Sequence, residues 1–250
     1  MLALERAIYI INRLKAKGIV DLKEITKELN ISEATVRRDF EKLDRDGKLK
    51  RVLGGATSVE GQVSEKVELT MEGKSNFNSD KKDRIAKEVA QLVKEGECVF
   101  LDGGTTLVPL IDYLADKKVT IVTHNDLIIR KLKKPIAEII IIGGKYLPHY
   151  SMNVGAMAEK MLDQFSFDHA FLGCSGVDLK EGLCFTAEID TLAIKEVAIN
   201  NSRKNYLLID SSKLEMSGFY KLRVLSEFDK VFCNNFESIE PIPSNFVLVK

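Results

Sequence analysis

Five short apolar runs in this chain each stop on a cluster of small or polar residues, and that pattern restricts the fold more than any other feature. Cys98-Val99-Phe100-Leu101 stops on Asp102-Gly103-Gly104-Thr105-Thr106. Residues 119–122 stop on Thr123-His124-Asn125, and residues 139–142 on Gly143-Gly144. Residues 170–172 stop on Gly173-Cys174-Ser175-Gly176, and residues 206–209 on Asp210-Ser211-Ser212-Lys213. Helical spacing of apolar residues separates the runs: Ile85, Val89, Leu92 and Val93, with Asp80 as the expected cap; Leu107, Leu110, Ile111 and Leu114; Ile128, Ile129 and Leu132; residues 154–162; and residues 187–202. Weaker strands are expected at 231–233 and 246–249. Continuous apolar strands alternating with helices predict a mostly parallel sheet covered by helices, an α/β domain over residues 80–250.

Open α/β sheets bind ligands at the carboxyl ends of their strands, which is where the polar residues gather. Glycines let backbone amides approach an anion, and Thr105 and Thr106 add hydroxyl donors at a helix start, where the dipole favours negative charge. Lys145 and Lys213 supply compact positive charge. One such loop is as readily a tight strand-to-helix turn. Five converging on one sheet edge suit a small phosphorylated, polyhydroxylated ligand.

The first 57 residues read differently. Leu4, Ala7, Ile8, Ile11 and Leu14 predict an amphipathic helix stopped by Gly18. Asp21 and Glu24 resemble a capping box for a short second helix carrying Ile25 and Leu29. Asn30-Ile31 is a tight turn, and Ser32 caps a third helix whose buried stripe is Val36, Phe40 and Leu43. Asp46-Gly47 turns the chain into Lys48-Leu49-Lys50-Arg51-Val52-Leu53, which alternates charged and apolar residues until Gly54-Gly55 ends it. This is a helix-turn-helix followed by a basic β wing. Ser32, Glu33, Thr35 and Arg37 are placed to reach phosphates or base edges, and Arg38, Lys50 and Arg51 to neutralise phosphates. The segment holds 13 basic and 9 acidic side chains, although the whole chain balances at 37 of each. A basic head on a mildly acidic body suits a polyanion-binding module. Composition alone leaves open a small helical domain whose Arg and Lys residues are merely solvated. Residues 58–79, polar with Gly61, Ser64, Gly73, Ser75 and Asn76, are expected to be a linker. Val63, Val67 and Met71 allow some helix within it.

Ile31-Ser-Glu-Ala-Thr-Val-Arg-Arg-Asp-Phe-Glu-Lys-Leu43, followed by Gly47-Lys-Leu-Lys-Arg-Val-Leu-Gly-Gly-Ala56, resembles the DNA-binding domain of the DeoR family of bacterial transcriptional regulators. Leu101-Asp-Gly-Gly-Thr-Thr106, Ile142-Gly-Gly144, Ala170-Phe-Leu-Gly-Cys-Ser-Gly-Val177 and Leu208-Ile-Asp-Ser-Ser-Lys213 look like the sensing domain of the same family. The resemblance spans nearly the whole chain. It implies a sensor similar in fold to ribose-5-phosphate isomerase that binds sugar phosphates, and an oligomeric repressor released from double-stranded operator DNA by such an effector. It also adds Glu188 and Lys195 to the expected effector site. Leu53 stands where the family often has His, Leu147 where it has Arg, Thr191 where it has Glu, and His124 where Asn is usual. His149 is either a surface loop residue or a substitute for the missing positive group.

The remaining features narrow the class. Apolar residues make up 45% and charged residues 30%, ordinary for a globular protein and too apolar for disorder throughout. Cys98, Cys174, Cys184 and Cys233 share no C-x-x-C spacing and are expected to be reduced and buried. No targeting segment or bilayer-spanning run is expected, which places the protein in the cytoplasm. His124, His149 and His169 lack ligand spacing, so neither a metal nor a cofactor is expected. Two alternatives remain: an isomerase-like enzyme using Asp102, Asp178, Glu188 or Asp210 with Lys195 or Lys213, and a regulator whose sensor only oligomerises.

Overall fold

The computed structural model describes residues 2–17, 19–52, 54–57, 71–214, 216, 218–238 and 241–250, with only the backbone course of 15–17, 72 and 73. The chain forms two units, Met1–Glu68 and Leu69–Lys250.

In the first unit, α1 (Ala3–Lys17) turns Ile10, Ile11 and Leu14 inward while Leu4 stays exposed. The strand β1 (Ile19–Asp21) follows. The expected stop at Gly18 lies outside the described residues. Asp21 caps α2 (Leu22–Leu29), its carboxylate accepting the amides of Lys23 at 2.7 Å and Glu24 at 3.1 Å. Asn30, at φ 50°, closes that helix in the left-handed region that Asn tolerates. Ser32 caps α3 (Glu33–Arg45), accepting from the Thr35 amide, and Val36, Phe40 and Leu43 are buried.

The wing is larger than the local alternation implies. Strands β2 (Lys50–Val52) and β3 (Gly55–Thr57) form a sheet with β1 in the order β1-β3-β2. Gly54-Gly55 therefore does not end the wing. Gly54, at φ +81°, makes the turn, and Gly55 opens β3, where a Cβ would collide with the Val20 carbonyl. The pairing with β1 is remote in sequence, so no local pattern announces it. Leu53 lies outside the described residues.

Of the segment expected to be a linker, residues 58–70, with Gly61, Val63, Ser64 and Val67, lie outside the described residues. Met71–Asn76 forms α4, and Met71 is buried in the core of the second unit. Helix α5 (Ser79–Val89) starts one residue before Asp80 and is preceded by Asn78 at φ 53°. Asn78 thus occupies the capping position assigned to Asp80, and its amide is directed elsewhere, as described below. The chain then runs through β4 (Cys98–Leu101), α6 (Leu110–Leu114), β5 (Thr120–Thr123), α7 (Asp126–Lys131), β6 (Glu138–Ile141) and a hairpin of β7 (Lys145–Leu147) and β8 (Met152–Val154). After α8 (Ala156–Leu162) come β9 (Phe167–Leu172), β10 (Gly176–Asp178), β11 (Leu183–Thr186), α9 (Ile189–Asn200) and β12 (Ser202–Ile209). The unit closes with β13 (Tyr220–Val224), β14 (Lys230–Asn234) and β15 (Phe246–Val249).

The described residues form a seven-stranded sheet, β15-β14-β12-β9-β4-β5-β6, whose neighbouring strands all run parallel. A second, antiparallel sheet, β10-β11-β13, is not signalled by any apolar run in the sequence. Phe100, Phe167, Phe171 and Phe232 are fully buried in the main core; each such side chain contributes roughly 1.5–3 kcal/mol.

Asp39 completes the Arg-Arg-Asp run of α3, yet it faces away from the exposed arginines. It is 8% exposed and takes a two-pronged ion pair from Arg6 of α1, Nε–Oδ2 at 2.6 Å and Nη2–Oδ1 at 3.0 Å. Removing the Asp39 carboxylate takes both of these charge-assisted contacts from the half-buried guanidinium that joins α1 to α3. Asp39→Ala is expected to destabilise the first unit by about 2–3 kcal/mol. Native-state hydrogen exchange on the full chain should show faster exchange of α1 and α3 amides and unchanged protection in β4 and β9.

Candidate functional site

Sheet order places a reversal between β4 and β9. From β4 the chain builds outward through β5 and β6, then returns to lay β9 against the other side of β4. Such a switch point leaves a crevice at the strand ends where neighbouring loops turn apart. Asp102 follows β4 and Gly173 follows β9, so the two flank this crevice. Gly104 and Gly173 approach so closely that a Cβ on either would lie 3.2 Å from the other's Cα. A side chain at either position would push the two loops apart by a few tenths of an ångström.

Asp102 is 1% exposed and surrounded by donors. Its Oδ2 accepts the Gly173 amide at 2.9 Å and the ammonium of Lys195, which reaches in from α9. Its Oδ1 faces Nε2 of His124 at 3.3 Å, and its main-chain carbonyl accepts Nδ2 of Asn125 at 3.2 Å. Burial alone would raise its pKa. The charge of Lys195 and the hydrogen bond and charge of His124 outweigh that, and the carboxyl sits well below the usual carboxylate range. Thr123, His124 and Asn125 are all fully buried. The Thr123 hydroxyl bonds the Leu101 carbonyl at 2.7 Å, and Asn125 caps α7 through the Leu127 amide. These three residues hold the Asp102 loop from below.

A second cluster adjoins Thr105. Lys82 of α5 is 2% exposed; its ammonium donates to the Thr105 hydroxyl at 3.1 Å and to the Lys74 carbonyl of α4. Burial pushes its pKa down to about 8, against the pull of Asp210 in the other direction. Asp210 accepts Nδ2 of Asn78 at 2.8 Å and the Ser212 amide at 3.0 Å on Oδ1. Its Oδ2 is buried with no hydrogen-bond partner among the described residues. Burial raises the Asp210 pKa, but the Ser212 hydroxyl, Lys213, Lys82 and Asn78 together bring it below the ordinary value. The Lys74 ammonium stands 5.7 Å from the centre of the Tyr150 ring, and the Tyr150 hydroxyl donates to Glu188 at 3.1 Å.

The structure therefore brings together Asp102, Gly103, Gly104, Gly173, His124, Asn125 and Lys195 in one cluster, and Thr105, Asp210 and Lys213 in another. Thr106 is buried in the short helical turn after Gly104. Three expected residues are engaged elsewhere. Lys145 is exposed and pairs with Asp190 at 3.2 Å. The Ser175 hydroxyl turns to the Phe185 carbonyl at 3.0 Å, inside the β10–β11 pairing. Gly176 packs under the Met216 backbone. Gly143 and Gly144 are exposed; Gly144 lies at φ +148° against the Val154 carbonyl and Ala158. His149 is exposed and meets Tyr150 edge-on. Sequence reasoning overlooked Lys82, Asn78 and Tyr150. Lys82 left a trace, a lysine in register with Ile85, Ala86 and Val89 on the buried stripe of α5.

On the first unit, Ser32, Glu33, Arg37, Arg38, Lys50 and Arg51 are exposed and Thr35 is half-buried, its hydroxyl 2.9 Å from that of Ser32. Arg37 pairs loosely with Glu33 at 3.5 Å, and Arg51 with Glu41 at 3.3 Å. Neither Arg37 nor Arg38 is buried against the fold.

Among the described residues, no group of three or more His, Cys, Asp or Glu is placed to hold a metal, and no helix is long and apolar enough to cross a membrane. All four cysteines are free thiols.

Residues 6–62 match the family model of a DeoR-like helix-turn-helix domain, and residues 77–235 that of a DeoR C terminal sensor domain. The chain is 34% identical over 214 residues to FruR, an HTH-type transcriptional regulator of Bacillus subtilis, covering 85% of this chain and 84% of the relative. It is 31% identical over 223 residues to a lactose phosphotransferase system repressor of Staphylococcus epidermidis, covering 88% and 87%. Among solved structures it is 20% identical to ribose 5-phosphate isomerase A from Methanocaldococcus jannaschii, over 55% of each chain with a TM-score of 0.41.

The charge states carry opposite pH signatures. Asp102 and Asp210 titrate below their unfolded value, so the stability they contribute is complete above about pH 4 and is lost as acid protonates the folded form. Lys82 titrates near 8 when folded and 10.5 when unfolded. The unfolded chain then holds the proton longer, so stability on this account rises between those values by about 3 kcal/mol. Lys82→Met is expected to abolish that rise, which urea unfolding at pH 8 and pH 10 measures for both proteins.

Proposed function

The chain belongs to the DeoR family of transcriptional regulators, and from that membership we propose that it represses an operon for sugar uptake or breakdown and lets go of its operator when a phosphorylated sugar occupies the ends of β4 and β9. The observation that carries this reading is the buried, cation-rich polar network at the switch point. Burying Asp102, Lys195, Lys82 and Asp210 together is costly for stability alone. It is useful for holding hydroxyls and a phosphate. Lys82 and Lys213, beside the hydroxyl of Thr105, form the cationic side, and the unpartnered Oδ2 of Asp210 is an acceptor suited to a sugar hydroxyl. Similarity to a lactose phosphotransferase system repressor supports a carbohydrate context.

An isomerase is less well supported. Its base would need a carboxylate able to take a proton from carbon, whereas both oxygens of Asp102 are engaged by Lys195, Gly173 and His124, and Asp210, although its Oδ2 is open, is held below the ordinary carboxylate pKa and is a weak base. Asp178 accepts the Glu181 amide at 2.9 Å within its own turn. A sensor serving only for oligomerisation would not require a buried acceptor left open at Asp210. The departure at Thr191 is accommodated without loss of the cluster, since its hydroxyl bonds Thr186 at 2.9 Å and the Glu188 carbonyl at 2.8 Å.

On the DNA side, α3 enters the major groove and the wing follows the backbone. Arg37, one turn from the helix start beside Glu33, reads a base edge. Arg38, which has no ion pair among the described residues, and Lys50 and Arg51 of β2 contact phosphates. Ser32 and Thr35 position the helix end. A homo-oligomer on repeated half-sites in the cytoplasm completes the reading.

Binding of a labelled operator fragment and of scrambled DNA, followed across salt concentrations, tests these roles. Arg38→Ala is expected to weaken both alike and to reduce the salt slope by about one. Arg37→Ala should cost about 1–3 kcal/mol on the operator and relax preference at one base position. Equal affinity of the native protein for both DNAs would sink the proposal.

A further inference from the structure

The two ring nitrogens of His124 face two acceptors. Nδ1 lies 2.7 Å from the Asn153 carbonyl, and Nε2 lies 3.3 Å from Oδ1 of Asp102. A carbonyl has no hydrogen to give. An ionised carboxylate has none either, and Asp102 is ionised: its other oxygen already accepts the Gly173 amide and the Lys195 ammonium. Neutral imidazole carries one N–H and one lone pair, so a neutral ring would turn a lone pair toward one of these oxygens. The ring is fully buried.

We propose that His124 is a doubly protonated imidazolium in the folded protein at neutral pH, and that its charge makes it a specificity-determining residue favouring a phosphorylated ligand over the same sugar without phosphate. The charged groups facing the ring are Asp102 at the end of β4 and, beyond that carboxylate, Lys195 of α9. Phe100 of β4 stacks on it at 5.8 Å, while Met152 and Asn153 of β8 close the other side. One carboxylate between two cations leaves a net positive charge beneath the loop at Gly103, where an added Cβ would lie 3.2 Å from Nε2 of His124. A buried excess charge is costly unless a counter-charge arrives, and an anion in the crevice above Gly103 supplies one. The selectivity half of the proposal rests on the effector reading given above; the charge state does not.

Nitrogen-15 spectra of the histidine side chains in the full-length protein without ligand test the charge state directly. His149→Gln and His169→Gln identify the His124 signals by elimination, so the assignment needs no substitution at the buried position. Two closely spaced ring-nitrogen shifts, each coupled to a proton at pH 7.5, are expected. One protonated and one lone-pair nitrogen, widely separated, would overturn the proposal. Calorimetry with inorganic phosphate, a hexose 6-phosphate and the parent hexose then tests selectivity. His124→Asn should weaken the two phosphates on the order of tenfold more than it weakens the parent hexose, as removal of one unit charge from a desolvated site implies. Unchanged phosphate affinity in a folded His124→Asn protein overturns the selectivity half. If the native protein binds none of the phosphates, the effector reading fails with it, while the spectrum still decides the charge state.

Discussion

A carboxylate sealed between two strands of a sheet must be answered by donors, and the second unit is organised around answering one. Asp102 sits at the reversal between β4 and β9 with 1% of its surface exposed. Its donors arrive from the loop after β9, from the middle of α9 and from the end of β5. Each fixes one element relative to the others. Loss of the anion would leave Lys195 buried without its partner, and loss of Lys195 would leave the anion, so the interaction sets the geometry of the crevice more than it adds to stability. The glycines on either side follow from the same demand, since Gly104 and Gly173 must touch for the Gly173 amide to reach Asp102.

The first unit depends on an analogous arrangement at a smaller scale. The Arg-Arg-Asp run on α3 divides its labour between faces: Asp39 points inward to Arg6, which ties α1 to α3, while Arg37 and Arg38 point to solvent. A helix so anchored presents its exposed face at a defined angle, which a groove-reading helix requires. Under the proposed reading, the same three residues serve packing and recognition at once.

Much of this was legible in the residues alone. Asp21 and Ser32 announce helix starts because a cap is a contact between near neighbours, and Val36, Phe40 and Leu43 announce a face because helical period is local. The strand ends were legible for the same reason, as apolar runs broken by Asp102, Gly173 and Asp210. What stayed hidden is contact between remote segments. Nothing near Ile19 reveals that it pairs with Thr57, and the sheet of β10, β11 and β13 joins strands separated by a helix and another strand. Lys145 and Ser175 looked like ligand-facing groups because they follow strand-end glycines, yet an ion pair and a hairpin carbonyl claim them. Lys82 was passed over because a lysine on a helix is ordinarily solvated, and only tertiary packing makes this one buried.

The most direct measurement of the central claim is fluorescence anisotropy of the operator-bound full-length protein, titrated with a panel of hexose phosphates beside their unphosphorylated parents. A ligand shifts such an equilibrium only by as much as it prefers one state. The account predicts that at least one phosphorylated sugar lowers the anisotropy toward that of free DNA in a saturable manner, while its parent does nothing. A flat titration across the panel, or release by sugar and sugar phosphate alike, would contradict it.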